Sequence, residues 1–261
     1  MNGIREKLIL FSCSLIYFYC AYFINRSDFE VLVSCYFLLF SAYIYVSRKA
    51  TFNYKEIIAF AVFFRLIFLF SIPPLSDDFY RFVWDGRMIT EGINPYLALP
   101  SEFIQTTSSN DFHLLFENMN SQNYFTVYPP FNQLLFGLAS LLGGGSIYFE
   151  IIILRSFIIL AEIGTMLMLP KLLTKFNLNK NLSLFYILNP LIIIELTGSL
   201  HFEGVMIFFL IAAIYFLVKN QLLLSSLFWV LAIGTKLIPL IFLPVLIKVV
   251  GVKKSLYHFI V

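Results

Sequence analysis

Charge is scarce in this chain. Of 261 residues, 18 are Lys or Arg and 15 are Asp or Glu, together 13%, against about 25% in an ordinary soluble domain. Hydrophobic residues make up 60% and the mean hydropathy is +0.86. So few charges cannot cover a soluble core of that size. Cysteine is also sparse: Cys13, Cys20 and Cys35 all sit in apolar runs with no C-x2-C spacing. That excludes a disulfide framework and a thiolate metal centre. There is no G-x-x-x-x-G-K-S/T, since Gly143-Gly144-Gly145 leads to Ser146 without a lysine. G-x-G-x-x-G after a strand and H-E-x-x-H are missing too. Disorder, collagen, coiled coil and a nucleic-acid partner are excluded by the same composition. What remains is an all-α, polytopic membrane protein embedded in the lipid bilayer.

A span needs about 20 apolar residues, fewer where the helix is broken inside protein. Apolar runs cover 8–24, 31–47, 57–72, 150–169, 182–200, 204–218 and 222–250. The last is interrupted by Lys236, Pro239 and Pro244 and reads as one helix out and one back, so about eight spans are expected. Residues 130–142 are apolar but few, which predicts a re-entrant or interfacial element over 129–149. With that element not crossing, Arg5, Lys7, Arg48, Lys49, Lys55, Lys171, Lys175, Lys180, Lys219, Lys248, Lys253 and Lys254 share one side. The positive-inside rule makes that side cytoplasmic, and the N-terminus with it. The first span begins like a signal peptide but lacks a cleavage site, so it is expected to stay. The organisation read from this is a two-span hairpin over 1–56, a membrane module over 57–250, and a new span beginning in 251–261. The apolar end at Phe259-Ile260-Val261 reads as the cut edge of a longer chain.

The loop 73–128 then lies outside. It holds Asp77, Asp78, Asp85, Glu91, Glu102, Asp111 and Glu117 against Arg81 and Arg87. A loop this long between spans is usually functional or disordered. Residues 77–91 predict a short amphipathic helix on the membrane surface. Phe79, Phe82, Val83 and Ile89 form its apolar side, Tyr80 and Trp84 suit the headgroup level, and Asp77, Arg81 and Asp85 make a polar stripe. Gly92 and Asn94-Pro95 end it. Residues 101–123 read as a loose connector.

Three features could carry chemistry. Asp77 and Asp78 are adjacent acids at a membrane boundary; one could serve as a general base, or both could simply cap a helix. His201 and Glu203 share a turn on the same face and could meet a phosphate, a sugar hydroxyl or a metal, or be solvated turn residues. Lys236 sits at membrane depth and needs an anion, which a lipid phosphate would supply, unless it snorkels to the surface. Arg65, Arg155, Glu162 and Glu195 also lie inside spans. Arg155 and Glu162, seven apart, share a helix face and are expected to pair or bridge to other helices. For Arg65 a buried acid partner is expected, which one being unreadable. A transporter or lipid flippase would use Arg65, Arg155, Glu162 and Lys236 along a pathway, but the second half holds no inverted repeat of the acidic loop. A non-catalytic membrane subunit is the third reading.

The string Ser76-Asp77-Asp78-Phe79-Tyr80-Arg81-Phe82-Val83-Trp84-Asp85-Gly86-Arg87, followed by Gly92-Ile93-Asn94-Pro95-Tyr96, resembles the first extracytoplasmic loop of GT-C-type integral membrane glycosyltransferases. It is most similar to the bacterial polyprenyl-phosphate-mannose-dependent mannosyltransferases, the GT87-like kind. Tyr128-Pro129-Pro130, Asn189-Pro190-Leu191, the His201 turn and Lys236-Leu237-Ile238-Pro239-Leu240 keep that family's order. The resemblance implies an inverting transfer of a hexose, mannose by analogy, from a polyprenyl-phosphate donor to a lipid, glycan or protein acceptor. It implies a bacterial inner (plasma) membrane enzyme with an extracytoplasmic active site. Asp78 is then the base and Asp77 second, either capping the helix or contacting a divalent metal, the one cofactor the pattern leaves room for. Lys236, His201, Glu203, Arg81, Asp85, Asn94 and Tyr128 are the implied substrate and donor-phosphate contacts. Phe202 and Glu203 depart from the family's His-Asn-Asp turn.

Overall fold

The computed structural model describes residues 2–49 and 53–251, and among these the regular structure is helical throughout. Two helices are long and apolar enough to cross a membrane, Phe29–Arg48 and Ile147–Lys175. A bent pair, Lys180–Ile187 with Ile192–Gly198, makes a third if taken as one span. The other apolar runs are also helical but shorter or more charged. The expected run at the C-terminal end, with Lys253 and Lys254, lies outside the described residues.

Helices α1 (Asn2–Tyr22) and α2 (Phe29–Lys49) form a hairpin against α3 (Tyr54–Ile67). Their seam is apolar: Tyr17, Leu39, Val46, Ile57, Phe64 and Phe68 are buried there with all three cysteines. After α3 the chain forms α4 (Asp78–Thr90), α5 (Pro100–Phe103), α6 (Asn110–Asn118) and α7 (Pro130–Gly143). The long α8 (Ile147–Lys175) follows, then α9 (Leu184–Ile187), a π-helical segment (Ile192–Gly198), α10 (Glu203–Val218), α11 (Leu222–Thr235) and α12 (Leu243–Val250).

The loop expected to be partly loose is folded. Helix α4 forms where predicted, with Asp78 in its first turn and Arg87 in its last, each complementing the helix dipole. Gly92, at φ +76°, takes the left-handed turn that ends it. Of its polar stripe, however, only Asp77 stays accessible: Arg81 and Asp85 are buried, and so are Arg87 and Trp84. Trp84 is therefore not a headgroup anchor. Its indole meets Phe112 at 4.8 Å and Phe103 at 5.7 Å, edge to face, so α5 and α6 cover α4 and give the loop its own core. The segment 101–123 is a lid on that core because Phe112, Leu115 and Met119 are spaced to one side of α6 and its exit.

Helix α7 runs along α4. Phe82 stacks on Phe136 with ring centres 4.8 Å apart, and Gly86 lies against the Phe136 carbonyl. At its far end Arg87 donates to Glu150 Oε1 and the Gly145 carbonyl, and the Tyr148 hydroxyl at the start of α8 donates to Phe70 O at the end of α3. Both ends of α7 are therefore tied to elements around α4 and the end of α3.

Two breaks shape the rest. Pro190 has no N–H to continue α9, and Asn189 Oδ1 accepts from Leu191 N to start the next segment, bent by 58°. Lys236 is extended at φ −149°, ψ 146°, directly after α11, and Pro239 opposes a regular restart. The expected break within 222–250 is thus present at Lys236.

Candidate active site

The polar groups at the α4 end come from four elements. Asp78 opens α4; its Oδ1 accepts from Asn120 Nδ2 at 3.1 Å, and its Oδ2 lies 3.9 Å from His201 Nε2. His201 stands in the turn between the π-helical segment and α10. That turn is strained: Leu200, buried completely, adopts φ +61°, a left-handed conformation rare for a branched side chain. Glu203 opens α10, and its Oε1 accepts a hydrogen bond from Lys236 Nζ at the end of α11. His201 and Glu203, two residues apart, thus bridge Asp78 on one side to Lys236 on the other. These four side chains are about a quarter to a third exposed, open enough to meet a ligand.

Tyr128 borders this group. Burial, then the carboxylates of Asp78 and Asp85, push its hydroxyl above the usual tyrosine range, with Arg81 opposing and Glu203 adding. Its ring packs edge-on to Phe82 and Phe136. Its carbonyl accepts from the Tyr96 hydroxyl at 2.6 Å.

The remaining expected site residues lie elsewhere. Arg81 Nε donates to Asp85 Oδ1 at 2.8 Å, and Arg81 Nη1 to the carbonyls of Ser121 and Tyr124. Asp85 Oδ2 also accepts from Thr126 Oγ1 and Gln133 Nε2. Burial pushes the Asp85 carboxyl up, opposed by Arg81, Thr126 and Gln133. Arg81 and Asp85 are thus a sealed brace that ties α4 to α7 and the loop. Asn94 Oδ1 accepts from Tyr96 N, closing a local turn. Asp77 occupies the N-cap position of α4 but makes no side-chain cap bond there; its Oδ2 accepts from Arg26 Nη1 at 3.1 Å in the α1–α2 loop. Among the described residues no group of three His, Cys, Asp or Glu is placed to hold a metal. With Asp77 held by Arg26, the donor set does not fit one.

Thr126 and Asn120 had no signal in the sequence, and Gln133 only its place in the Asn132-Gln133-Leu134 run after Tyr128-Pro129-Pro130. Glu195, in the π-helical segment, was visible only as an acid in an apolar run; it lies 3.7 Å from His201 through Oε2. An apolar cavity of about 560 Å³ lies apart from this cluster, between α10, α11 and α12 beside Trp229 and Leu246.

No curated protein and no solved structure matches significantly. The alpha-(1->6)-mannopyranosyltransferase N-terminal domain matches over residues 23–252, from the end of α1 through α12. The chain therefore belongs to the alpha-(1->6)-mannopyranosyltransferase family, and is a mannosyltransferase of the GT87-like kind.

Proposed function

We propose that this chain moves mannose from a polyprenyl-phosphate donor to an acceptor hydroxyl, with inversion, at the non-cytoplasmic edge of a bacterial plasma membrane. In this reading about eight helices span the bilayer, the N-terminus is cytoplasmic, and α4 to α7 form a GT-C-like outer layer. The observation that carries it is the run Asp78, His201, Glu203, Lys236, which sets a carboxylate and an ammonium at one end of the bundle. Family membership supplies the sugar.

Asp78 is the base. It is about a third exposed, stands at the start of a helix, and its Asn120 contact orients one oxygen. It takes the acceptor proton as the hydroxyl oxygen attacks the anomeric carbon, a step typically worth ~10²–10⁴-fold. The leaving group is a phosphate, so its departure needs charge stabilisation more than a proton. Lys236 supplies that charge, exchanging Glu203 for the donor phosphate. The polyprenyl tail stays in the bilayer. A lipid, glycan or protein acceptor approaches from the aqueous side.

The transport reading has less behind it. Arg65, Arg155 and Glu162 are each 0% exposed and are engaged by one another or by backbone carbonyls. They line no path.

The test is direct. Membranes containing the protein are incubated with radiolabelled polyprenyl-phosphate mannose, and label in acceptor is counted. Asp78→Asn should lose roughly 10²-fold or more of the transfer rate while remaining in the membrane. Unchanged turnover by that variant removes Asp78 from the mechanism.

A further inference from the structure

One acid beside the cluster has no role in the mechanism above. Glu195 Oε2 lies 3.7 Å from His201 Nδ1, while Asp78 Oδ2 lies 3.9 Å from Nε2, so the ring stands between two carboxylates. The second oxygen of Glu195, Oε1, accepts from the Tyr36 hydroxyl at 3.1 Å, and Tyr36 belongs to α2. A carboxylate in an otherwise apolar helical run is costly unless it is engaged.

The backbone is built to make this contact. Residues six apart are about 120° apart around a regular α-helix, so Glu195 and His201 would diverge. Here the helix widens: Ser199 N bonds Ile194 O and His201 N bonds Leu196 O. Leu200 then turns left-handed. The π-widening and the turn together bring His201 back over Glu195; such bulges often mark functional sites.

We propose that Glu195, held by Tyr36, is a positioning residue for the transfer reaction. It orients the His201 ring so that Nε2 faces Asp78 and receives the proton that Asp78 removes. This rests on Asp78 being the base. Which imidazole nitrogen carries the proton is set by the bond the other makes. A carboxylate at Nδ1 favours the Nδ1–H form and leaves the Nε2 lone pair toward Asp78. As the acceptor oxygen bonds the anomeric carbon, the bond from that carbon to the phosphate oxygen breaks and its electron pair leaves with the phosphate. The acceptor proton passes to Asp78 and then to His201 Nε2. The resulting imidazolium lies between Asp78 and Glu195, and Asp78 is a carboxylate again. Both gaps are longer than a hydrogen bond, as catalytic contacts commonly are before substrate tightens them.

The same transfer assay tests it, on wild type, Asp78→Asn, Glu195→Gln, Tyr36→Phe, His201→Asn and the double variant H201N/E195Q. Glu195→Gln keeps the size of the side chain and can still accept from Tyr36. It should lower kcat roughly tenfold, a share of the ~10²–10⁴ of ordered proton transfer. The donor KM should stay within about twofold. Tyr36→Phe should shift kcat in the same direction by less. The double variant should be no slower than His201→Asn alone, because Glu195 acts through that ring. Wild-type kcat in Glu195→Gln, or losses that multiply in the double variant, overturn the proposal. So does a fall in folded protein with unchanged kcat per folded molecule, measured by thermal unfolding in detergent. An inactive wild type, or an unimpaired Asp78→Asn, overturns the general-base reading and this proposal together. Asp78-dependent transfer with multiplying losses overturns this proposal alone.

Discussion

Arg65 and Glu162 are both completely buried and joined by two hydrogen bonds, Nη2 to Oε2 at 2.7 Å and Nε to Oε2 at 3.1 Å. The Tyr186 hydroxyl takes the other oxygen at 2.6 Å. The sequence shows that Arg65 needs an acid but not which one, since 97 residues separate it from Glu162. Of the two expectations for Arg155 and Glu162, pairing with each other or bridging to other helices, the second holds: Arg155 donates to the carbonyls of Leu69, Ser71, Thr197 and Gly198. Those carbonyls lie at the ends of α3 and the π-helical segment, where helical bonding leaves oxygens unpaired and the dipole is negative. A guanidinium can satisfy such a site without a carboxylate, which residue spacing cannot reveal. Glu162→Ala leaves Arg65 buried and unpaired, so it should destabilise the fold by about 3–5 kcal/mol. Thermal unfolding of the purified protein in detergent reads this, and replacing both partners with apolar residues should restore most of the loss.

At the scale of elements, the packing of α4 on α7 depends on Gly86. A Cβ there would lie 2.4 Å from the Phe136 carbonyl oxygen, which is backbone and cannot swing aside. Gly86→Ala should force the helices apart and strain the Asp85–Gln133 bond, at a cost of about 1–3 kcal/mol, with transfer activity falling as Asp78 shifts. Paired unfolding and transfer measurements check both. Helix α4 was legible, since its apolar and polar residues alternate at helical spacing. The lid formed by α5 and α6 was not. Its polar Ser, Thr, Asn and Gln residues hide a three-residue apolar side, Phe112, Leu115 and Met119, that matters only once Trp84 lies under it.

For the whole molecule, topology is the quantity to measure. If α7 does not cross, Val127→Cys and Ser146→Cys on its two flanks should react with a membrane-impermeant maleimide from one side. Lys219→Cys, between α10 and α11, should react only after permeabilisation. Labelling of Val127→Cys and Ser146→Cys from opposite sides would refute the arrangement. The native cysteines are buried, which keeps the background low. The α1–α2 hairpin, read from sequence as a separate unit, reaches the site through Arg26 on Asp77 and Tyr36 on Glu195. By itself the sequence determined that the chain is helical and apolar, where each apolar run lies, where prolines and lysines break it, and that the Asp77–Arg87 string is distinctive. Those properties follow from composition and local spacing. Only the tertiary structure decided which buried ions pair across helices and that His201 stands between Asp78 and Glu195. Such pairings join residues many helices apart, and their energies come from burial and geometry that no local pattern encodes.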